Sequence, residues 1–378
     1  MLVFAVWALA PVYQFYSHRG ITPMPPWGWL AIDGAVPEIQ KAFDPHYESA
    51  GNLALQRMAD YRSEANLSSL SAAVAVGSEL VWVGAVGFSD IASRTPATPE
   101  TLYRIGSTSK ALTATALARL VERGEIDLDR PLSFYLANVA NPAWSNVTAR
   151  QLASHSAGIP HYGENKDFAG LYRSVALNHH YDDVRNALSV FDSSPLLFDS
   201  GTDFHYSSLG TVLLGAVMSD VSGISYRELM SREVFEPAGM VSTFPDGDDD
   251  PRENGLATLY YTDGRRFRPW RTVDLSHRLP GGGFISSPTD LVRLGKIYFD
   301  GGYLSEETKR HFWMPQHLAD GTVNEQDYAL GWRWREWNIE GAGLARNANH
   351  GGVSRGSQCW LLLYPDYLMS MAFCTNAK

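Results

Sequence analysis

A run of hydroxyl side chains followed by a lysine stands at the start of a helical pattern: Ser107-Thr108-Ser109-Lys110. Residues three apart lie on one face of a helix, so the amine of Lys110 can reach the hydroxyl of Ser107. A lysine with a lowered pKa can act as a base, and a serine alkoxide at a helix N-terminus is stabilised by the helix dipole. Taken alone, however, this motif is more typical of a helix N-cap followed by a surface lysine.

Two further polar motifs lie downstream. Tyr206 precedes Ser208 by two positions in the stretch DFHYSSLG, and His350 begins the stretch HGGVSRG, which leads into the apolar run SQCWLLLY. With these motifs behind it, Ser107 is better interpreted as a candidate nucleophile than as a helix cap.

The three motifs, in this order and at this spacing, resemble those of penicillin-recognising serine hydrolases. This family includes class C β-lactamases, D-alanyl-D-alanine carboxypeptidases and related esterases. Framework segments such as LYRIGSTSKALTATALARL and LPGGGFISSPTDLVRLG extend the resemblance over most of residues 70–375. Within the family, the stretches HSAGIPHY and FHYSSLG and the histidine before the glycines are most similar to mitochondrial serine β-lactamase-like proteins and their bacterial relatives.

The resemblance implies a catalytic role for four residues. Ser107 would be the acylated nucleophile, and Lys110 and Tyr206 would share the role of general base, each lowering the pKa of the other. The backbone N–H groups of Ser107 and Val353 would form the oxyanion hole.

The expected substrate-binding side departs from the family pattern. Ser208 stands where many relatives have asparagine, so one amide donor is missing. His350 and Gly351, followed by Gly352, replace a lysine and a hydroxyl residue that bind the substrate carboxylate in relatives acting on β-lactams or peptidoglycan stems. We therefore predict a serine hydrolase that forms an acyl-enzyme with small ester or peptide substrates, and not an efficient β-lactamase or carboxypeptidase.

The same departures support an alternative hypothesis, a catalytically weak or inactive scaffold of the β-lactamase fold that serves assembly or partner binding. Fold alone does not separate the two, because function depends on the site. The sequence also leaves open whether the protein forms homo-oligomers.

Composition and charge limit the other function classes. The chain has 378 residues, of which 45% are hydrophobic, enough to build the core of one or two domains. Its net charge of −10 and the absence of any lysine or arginine run argue against a nucleic-acid partner.

We predict no metal site and no cofactor. His179, His180 and His205 have no carboxylates at ligand spacing, and the acidic run 246–250 lacks the glutamate that closes an EF-hand, so it is interpreted as a solvated loop. The glycines 281–283 are not followed by the residues of a phosphate loop and are expected to allow close backbone approach beside the cleft.

Two side chains are assigned structural roles. His155, followed by a glycine and a proline that indicate a turn, is expected to hydrogen-bond the backbone. Cys359 and Cys374 flank a predicted hairpin and would lie roughly opposite each other. A disulfide could form there in an oxidising compartment, but two buried free thiols are the commoner outcome.

Strand patterns at both ends of the chain enclose a mostly helical middle. They predict an α/β (α+β) protein with a central antiparallel sheet flanked by helices, which the resemblance identifies as a β-lactamase/transpeptidase-like fold. The catalytic domain would span residues 46–378, with the sheet from about 46–110 and 281–378 and the helical part from 111–280. We expect the active site in the cleft between the two parts.

Residues 1–45 are predicted to form an apolar segment and a linker, the linker from residue 17 onwards. The stretch MLVFAVWALAPVYQFY is shorter than the roughly 20 residues of a spanning helix and lacks the basic start of a signal peptide. It could be a signal sequence, a short membrane tether or an arm packed on the domain, and we favour an extracytoplasmic location. Members of the family usually end in a helix packed on the sheet, whereas this sequence stops after MAFCTNAK. We expect either that this helix is missing from the sequence or that another element, such as the apolar arm, covers that face.

Overall fold

The computed structural model describes residues 2–19, 21–136, 138–247, 255–341 and 343–378, without the side chains of residues 2–8. The strands in chain order are β1 (Glu38–Ala42), β2 (Ser69–Val76), β3 (Glu79–Asp90), β4 (Thr95–Pro96), β5 (Tyr103–Arg104), β6 (Phe244–Pro245), β7 (Tyr260–Asp263), β8 (Arg266–Pro269), β9 (Phe284–Ser286), β10 (Arg333–Ile339), β11 (Gly343–Ser354), β12 (Ser357–Tyr364) and β13 (Met369–Thr375).

The helices in chain order are α1 (Leu2–Ser17), α2 (Glu48–Glu64), α3 (Ser109–Glu122), α4 (Ala149–Ala153), α5 (Phe168–Ala176), α6 (Ser208–Ser222), α7 (Tyr226–Met230), α8 (Glu236–Ala238), α9 (Leu279–Gly282), α10 (Pro288–Arg293), α11 (Gly295–Phe299) and α12 (Glu306–Trp313). A π-helical turn, Ser231–Phe235, joins α7 to α8.

The architecture is a central antiparallel sheet with helices on both faces. Seven strands lie in the order β1-β3-β2-β13-β12-β11-β10, and β4 pairs with the end of β3. Helix α2 packs on β3 and β1, whereas α10 packs on β13 and β2. The segment between β5 and β9 supplies the predicted, mostly helical insertion, so the predicted architecture is confirmed. The short hairpin β7–β8 within it was not predicted.

Helix α3 lies in the core and sets the position of the candidate nucleophile. Its residues from Ser109 to Ala118 are all buried. Thr113 donates to the carbonyls of Ser109 (3.0 Å) and Pro280 (2.7 Å), and Thr115 donates to the Ala111 carbonyl (2.8 Å). Because its hydroxyls are satisfied, this helix can be enclosed on every side.

The N-terminal segment is docked on the domain at several points. Strand β1 pairs with β3 from Glu38↔Val86 to Ala42↔Trp82, and Leu30 forms a β-bridge with Phe267. Helix α1 contacts α5, on the helical side of the molecule. The expectation of a plain linker from residue 17 onwards was therefore wrong, while the domain boundary at residue 45 stays a prediction.

The described residues of the arm do not cover the outer face of the sheet, so this alternative was wrong. On β12 and β13, Trp360 and Phe373 stack on each other on this face and stay 43% and 39% exposed. In the described part of the chain, no single helix is long and apolar enough to cross a membrane. One pair bent by 86°, Ser208–Ser222 with Tyr226–Ala238, has the required length and composition.

The two cysteines form a disulfide between neighbouring strands. Cys359 of β12 lies directly opposite Cys374 of β13, with their Cα atoms 4.1 Å apart, and both side chains are buried. The predicted hairpin is confirmed, but the expectation that free thiols were the commoner outcome was wrong for this pair, because the register places the two side chains within bonding distance.

We predict that the Cys359→Ala/Cys374→Ala double variant will have a lower free energy of unfolding, by about 3 kcal/mol, because the closed loop restricts the unfolded chain. Urea unfolding followed by circular dichroism measures the difference. Reductant should lower the stability of the wild type and leave the double variant unchanged. A wild type with two thiols that react before unfolding would contradict the disulfide.

Candidate active site

Ser107 lies in a tight turn that leads into α3. Gly106 opens the turn with φ +53°, residues Gly106–Thr108 form a 3-10 turn, and α3 begins at Ser109. The N–H of Ile105 donates to the Phe284 carbonyl at 3.1 Å, which joins the turn to β9. The helix therefore starts two residues later than the motif predicts, and Ser107 stands just ahead of its first turn.

Strand β11 packs directly against this turn. A Cβ atom on Gly352 would lie 1.9 Å from the Ile105 carbonyl oxygen and 2.8 Å from the backbone nitrogen of Ser107. A Cβ atom on Gly106 would lie 2.7 Å from the backbone nitrogen of Val353. Because both positions lack side chains, the two segments approach closely, and the N–H groups of Ser107 and Val353 belong to adjoining stretches of backbone.

Lys110 is buried beneath Ser107. Its Nζ lies 3.2 Å from Ser107 Oγ, 2.8 Å from Ser208 Oγ and 2.6 Å from the Gly281 carbonyl oxygen. Burial lowers the pKa of Lys110 well below its usual value, and the positive charges of Arg333 and Arg278 lower it further. Ser107 and Lys110 therefore lie together, as predicted. The close backbone approach expected of the glycines at 281–283 is also present, since a Cβ atom on Gly281 would lie 2.7 Å from the Ser208 carbonyl oxygen.

Tyr206 lies beside Ser107 and Lys110, but its pKa is shifted in the opposite direction from the expected one. Lys110 Nζ stands 4.8 Å from the centre of its ring. Burial raises the pKa of Tyr206 to about 12, and the hydrogen bond with Ser107 offsets this only in part. The expectation that lysine and tyrosine lower each other's pKa was wrong for Tyr206, whose pKa is raised. For Lys110 the direction is the expected one, but burial and the charges of Arg333 and Arg278 cause it, since loss of hydration disfavours an ammonium as it disfavours a phenolate.

His161 contacts this group of residues and was not singled out in the sequence. Its Nδ1 accepts a hydrogen bond from the backbone N–H of Ser208 at 3.1 Å. Burial lowers the pKa of His161 to about 3. The ring is then neutral and carries its proton on Nε2, as a donor on the cleft wall. The only sequence signal was its place in HSAGIPHY, a stretch noted for the family resemblance.

His350 lies behind the cleft wall. Its side chain is fully buried, Tyr328 donates to Nε2 at 2.9 Å, and Nδ1 donates to the Gly351 carbonyl at 2.8 Å. Burial lowers the pKa of His350 well below its usual value. The prediction of an uncharged group is thus met, but neither His350 nor Gly351 lines the cleft, where substrate contact was expected.

His155 occupies the structural position predicted for it. It is buried, and its Nδ1 accepts from the backbone N–H of Ser207 at 3.3 Å. Burial lowers the pKa of His155 well below its usual value.

The acidic run 246–250 differs from the predicted solvated loop where it is described. Asp246 is buried and pairs with Arg104 at 2.5 Å, while residues 248–250 lie outside the described part.

The histidines considered as metal ligands are not gathered into a cluster. His180 lies 2.8 Å from one carboxylate, that of Asp274. Within the described ranges, no group of three histidine, cysteine or acidic side chains could hold a metal ion.

The cleft beside Ser107 has a volume of about 860 Å³. Ser107, Ser208 and Val353 line one side of it, while Lys110 and Tyr206 lie behind them. The end of α1 and the residues after it line the mouth: Phe15, Tyr16, His18 and Arg19. The cleft thus lies where the sequence predicted it, but the N-terminal segment contributes part of its wall.

Comparisons with known proteins agree with this geometry. Residues 54–378 match the family model described as Beta-lactamase. The chain is 26% identical to the mitochondrial serine beta-lactamase-like protein LACTB of Homo sapiens, over 88% of this chain and 74% of that protein. It is 29% identical to esterase EstB of Burkholderia gladioli, over 70% of this chain and 71% of the esterase.

Solved structures show the same fold. The octameric penicillin-binding protein homologue from Pyrococcus abyssi superposes with a TM-score of 0.70 at 24% identity, over 87% of this chain and 74% of that one. D-amino acid amidase from Ochrobactrum anthropi SV3 superposes with a TM-score of 0.71 at 20% identity, over 86% and 91% of the two chains. The predicted β-lactamase/transpeptidase-like fold is therefore confirmed.

We predict that Gly352→Ala will slow the labelling of Ser107 by a fluorophosphonate probe by at least about 100-fold, because the added methyl group would push β11 and the Val353 N–H away from the turn. Gly302→Ala is the control: this exposed glycine has φ +81° and open space around it, so alanine there strains the backbone without touching the site. Equal labelling rates in both variants would contradict the role of the contact at Gly352.

Proposed function

The chain belongs to the Beta-lactamase family, and on this premise we propose that it is a serine hydrolase that forms an acyl-enzyme at Ser107 with ester or amide substrates. The observation that carries the proposal is the position of Lys110, whose amine lies 3.2 Å from Ser107 Oγ while burial lowers its pKa. A neutral amine within hydrogen-bond reach of a serine hydroxyl is the pairing that nucleophilic catalysis requires.

In the proposed acylation step, the lone pair of neutral Lys110 takes the proton of Ser107. Two N–H bonds of the amine can donate to Ser208 Oγ and the Gly281 carbonyl, which leaves the lone pair for Ser107. Ser107 Oγ then bonds to the substrate carbonyl carbon, and the N–H groups of Ser107 and Val353 bind the resulting oxyanion. The intermediate collapses with loss of an alcohol or amine, which leaves an ester on Ser107.

Tyr206 is proposed to pass a proton to the leaving group. With a pKa raised to about 12, it holds its proton at neutral pH and bonds to Ser107 as a neutral phenol. It can donate that proton to the departing oxygen or nitrogen and regain one from protonated Lys110. Deacylation repeats the sequence with water as the nucleophile, and the proton balance closes.

The substrate class follows from His350 and from the relatives. A buried, neutral His350 offers no charge to a carboxylate at the place where the β-lactam-binding relatives have lysine, which argues against efficient β-lactam hydrolysis. EstB is named an esterase, and the amidase is named for D-amino acid amides. We infer small esters or peptide-like amides as substrates.

We further propose an extracytoplasmic or otherwise oxidising location. The disulfide between Cys359 and Cys374 supports it, because such bonds persist where thiols are not kept reduced. Relatives include a mitochondrial protein and penicillin-binding protein 4* of Bacillus subtilis. A membrane tether through residues 1–16 and self-association stay predictions.

We predict that Ser107→Ala will abolish covalent labelling by a fluorophosphonate probe and the turnover of a p-nitrophenyl ester. The matched control is Ser109→Ala, which removes the other serine of the motif, a buried residue whose Oγ accepts from the Phe284 N–H at 3.4 Å. The control should label and turn over like the wild type. Wild-type protein that neither labels nor turns over would favour the scaffold hypothesis.

We predict that kcat/KM for a neutral ester will fall as pH is lowered through the pKa of Lys110, because the protonated amine cannot accept from Ser107. Because the pKa of Lys110 is lowered well below its usual value, this fall in kcat/KM should occur at a pH well below the usual lysine range. Lys110→Arg should lose at least about 100-fold in kcat.

The control for this variant is Lys309→Arg, which changes another buried lysine, one that pairs with Glu306 at 2.6 Å away from the cleft. It should keep both the rate and the pH profile of the wild type. A Lys110→Arg protein with an unchanged pH profile would exclude Lys110 as the base.

A further inference from the structure

The cleft beside Ser107 is lined by an excess of positive charge. Three arginine side chains line it, and the only carboxylate side chain among the described lining residues is Glu164. Glu164 itself lies 3.6 Å from His205. The arginines come from three separate segments of the chain: Arg19, Arg278 and Arg355. Because the whole chain has a net charge of −10, the positive charge of the cleft does not reflect the overall composition and is specific to the cleft.

Arg355 stands in the turn between β11 and β12, two residues after Val353. Its guanidinium lies over the rings of Phe15 (4.8 Å) and Trp270 (5.7 Å), and its Nε is buried without a hydrogen-bond partner. Within the described residues, Arg355 has no ion pair. Burial and the neighbouring charges, chiefly that of Arg278, lower the pKa of Arg355 to about 9, so it remains charged at neutral pH.

Among the described residues, the groups that hold Arg278 in place are all neutral. Its Nε donates to His277 Nε2 at 2.9 Å, its Nη2 donates to the Ser174 carbonyl at 2.8 Å, and its guanidinium lies 4.0 Å from the centre of the Tyr162 ring. The side chain is 9% exposed. These contacts fix its orientation without neutralising its charge.

The end of α1 encloses the space above these two arginines. The His18 ring stacks on Trp270 with centroids 3.9 Å apart, and Phe15 packs under Arg355. Arg19 adds a further positive charge at the mouth. Enclosure lowers the effective dielectric constant, which makes an unpaired cation more costly and an incoming anion more strongly bound.

We propose that Arg355 and Arg278 form an anion subsite that binds a carboxylate on the acyl part of the substrate hydrolysed at Ser107. The inference rests on the proposed hydrolase function and narrows its substrate class to esters or amides of acids that carry a second, free carboxylate. Guanidinium groups suit this task because their planar N–H donors match a carboxylate in two parallel hydrogen bonds. The subsite lies on the turn after β11 and on the segment before α9, and His350 takes no part in it.

The test compares two esters that differ in one charge: mono-p-nitrophenyl adipate and its methyl ester, the latter neutral and otherwise alike. The wild type should show a kcat/KM about 10- to 100-fold higher for the anionic ester, a preference that decreases as salt is added. In Arg355→Gln the ratio of kcat/KM for the anionic ester to kcat/KM for the neutral ester should fall to about one. Arg355→Lys, which keeps the charge without the planar fork, should retain part of the preference.

The matched control is Arg346→Gln, which removes an arginine of β11 that pairs with Asp366 at 2.7 Å on the exposed surface. It should leave both esters unaffected. An anionic ester that the wild type does not prefer, or a preference that survives in Arg355→Gln, would overturn the subsite.

A binding measurement separates this proposal from the proposed catalysis. Titration calorimetry with adipate, which has no ester to cleave, should show binding to the wild type and to Ser107→Ala, and binding weakened at least 10-fold in Arg355→Gln. If no ester is hydrolysed but adipate binds in this pattern, the hydrolase proposal fails and the subsite stands. If esters are hydrolysed at Ser107 without adipate binding or charge preference, the subsite fails and the hydrolase proposal stands.

Discussion

The close contact between Gly352 and the turn at Ser107 constrains the whole site. Any side chain at position 352 would overlap the backbone of Ile105 and Ser107, so β11 and the turn can meet only through glycine. Gly352 lies opposite Cys359 in the β11–β12 register, and Cys359 is bonded to Cys374 on the next strand. The disulfide thus joins β12 to β13, next to the position where β11 meets the turn. Thr108 adds hydrogen bonds to the carbonyls of His350 and Cys359, at 3.2 and 3.3 Å.

Burial determines the pKa values of the two titratable side chains beside Ser107. Removing Lys110 from water disfavours its charged form and lowers its pKa, and removing Tyr206 from water disfavours the phenolate and raises its pKa. One physical effect, burial, therefore moves the pKa values of these two neighbouring groups in opposite directions. Two groups whose environments shift their pKa values in opposite directions are the arrangement that acid-base catalysis uses.

The sequence predicted the parts of the site that depend on spacing along the chain. Ser107 and Lys110 are one helical turn apart, so their meeting follows from helix geometry. Tyr206 and Val353 could be placed only through the resemblance, because nothing local brings distant segments together. The sheet with its helical insertion followed from strand patterns at the two ends.

What the sequence could not predict depends on the final packing. The pKa direction of Tyr206 is decided by burial, which a motif does not report. The disulfide required a register that places Cys359 opposite Cys374, and a shift of one residue would have separated them. His161 became visible only when the fold brought its ring to the Ser208 N–H. The docking of residues 15–19 at the cleft mouth likewise arises from side chains distant in sequence, Trp270 above all.

The three histidines around the site, His155, His161 and His350, share a property with a further consequence. Each has an imidazole whose pKa burial holds far below neutrality. None of them can therefore capture a proton released from Ser107 at physiological pH. Each histidine hydrogen-bonds the backbone around Ser107 and Lys110, and none of them takes up a proton at physiological pH. In the proposed mechanism, a proton that leaves Ser107 therefore passes to Lys110 and Tyr206 and not to the histidines.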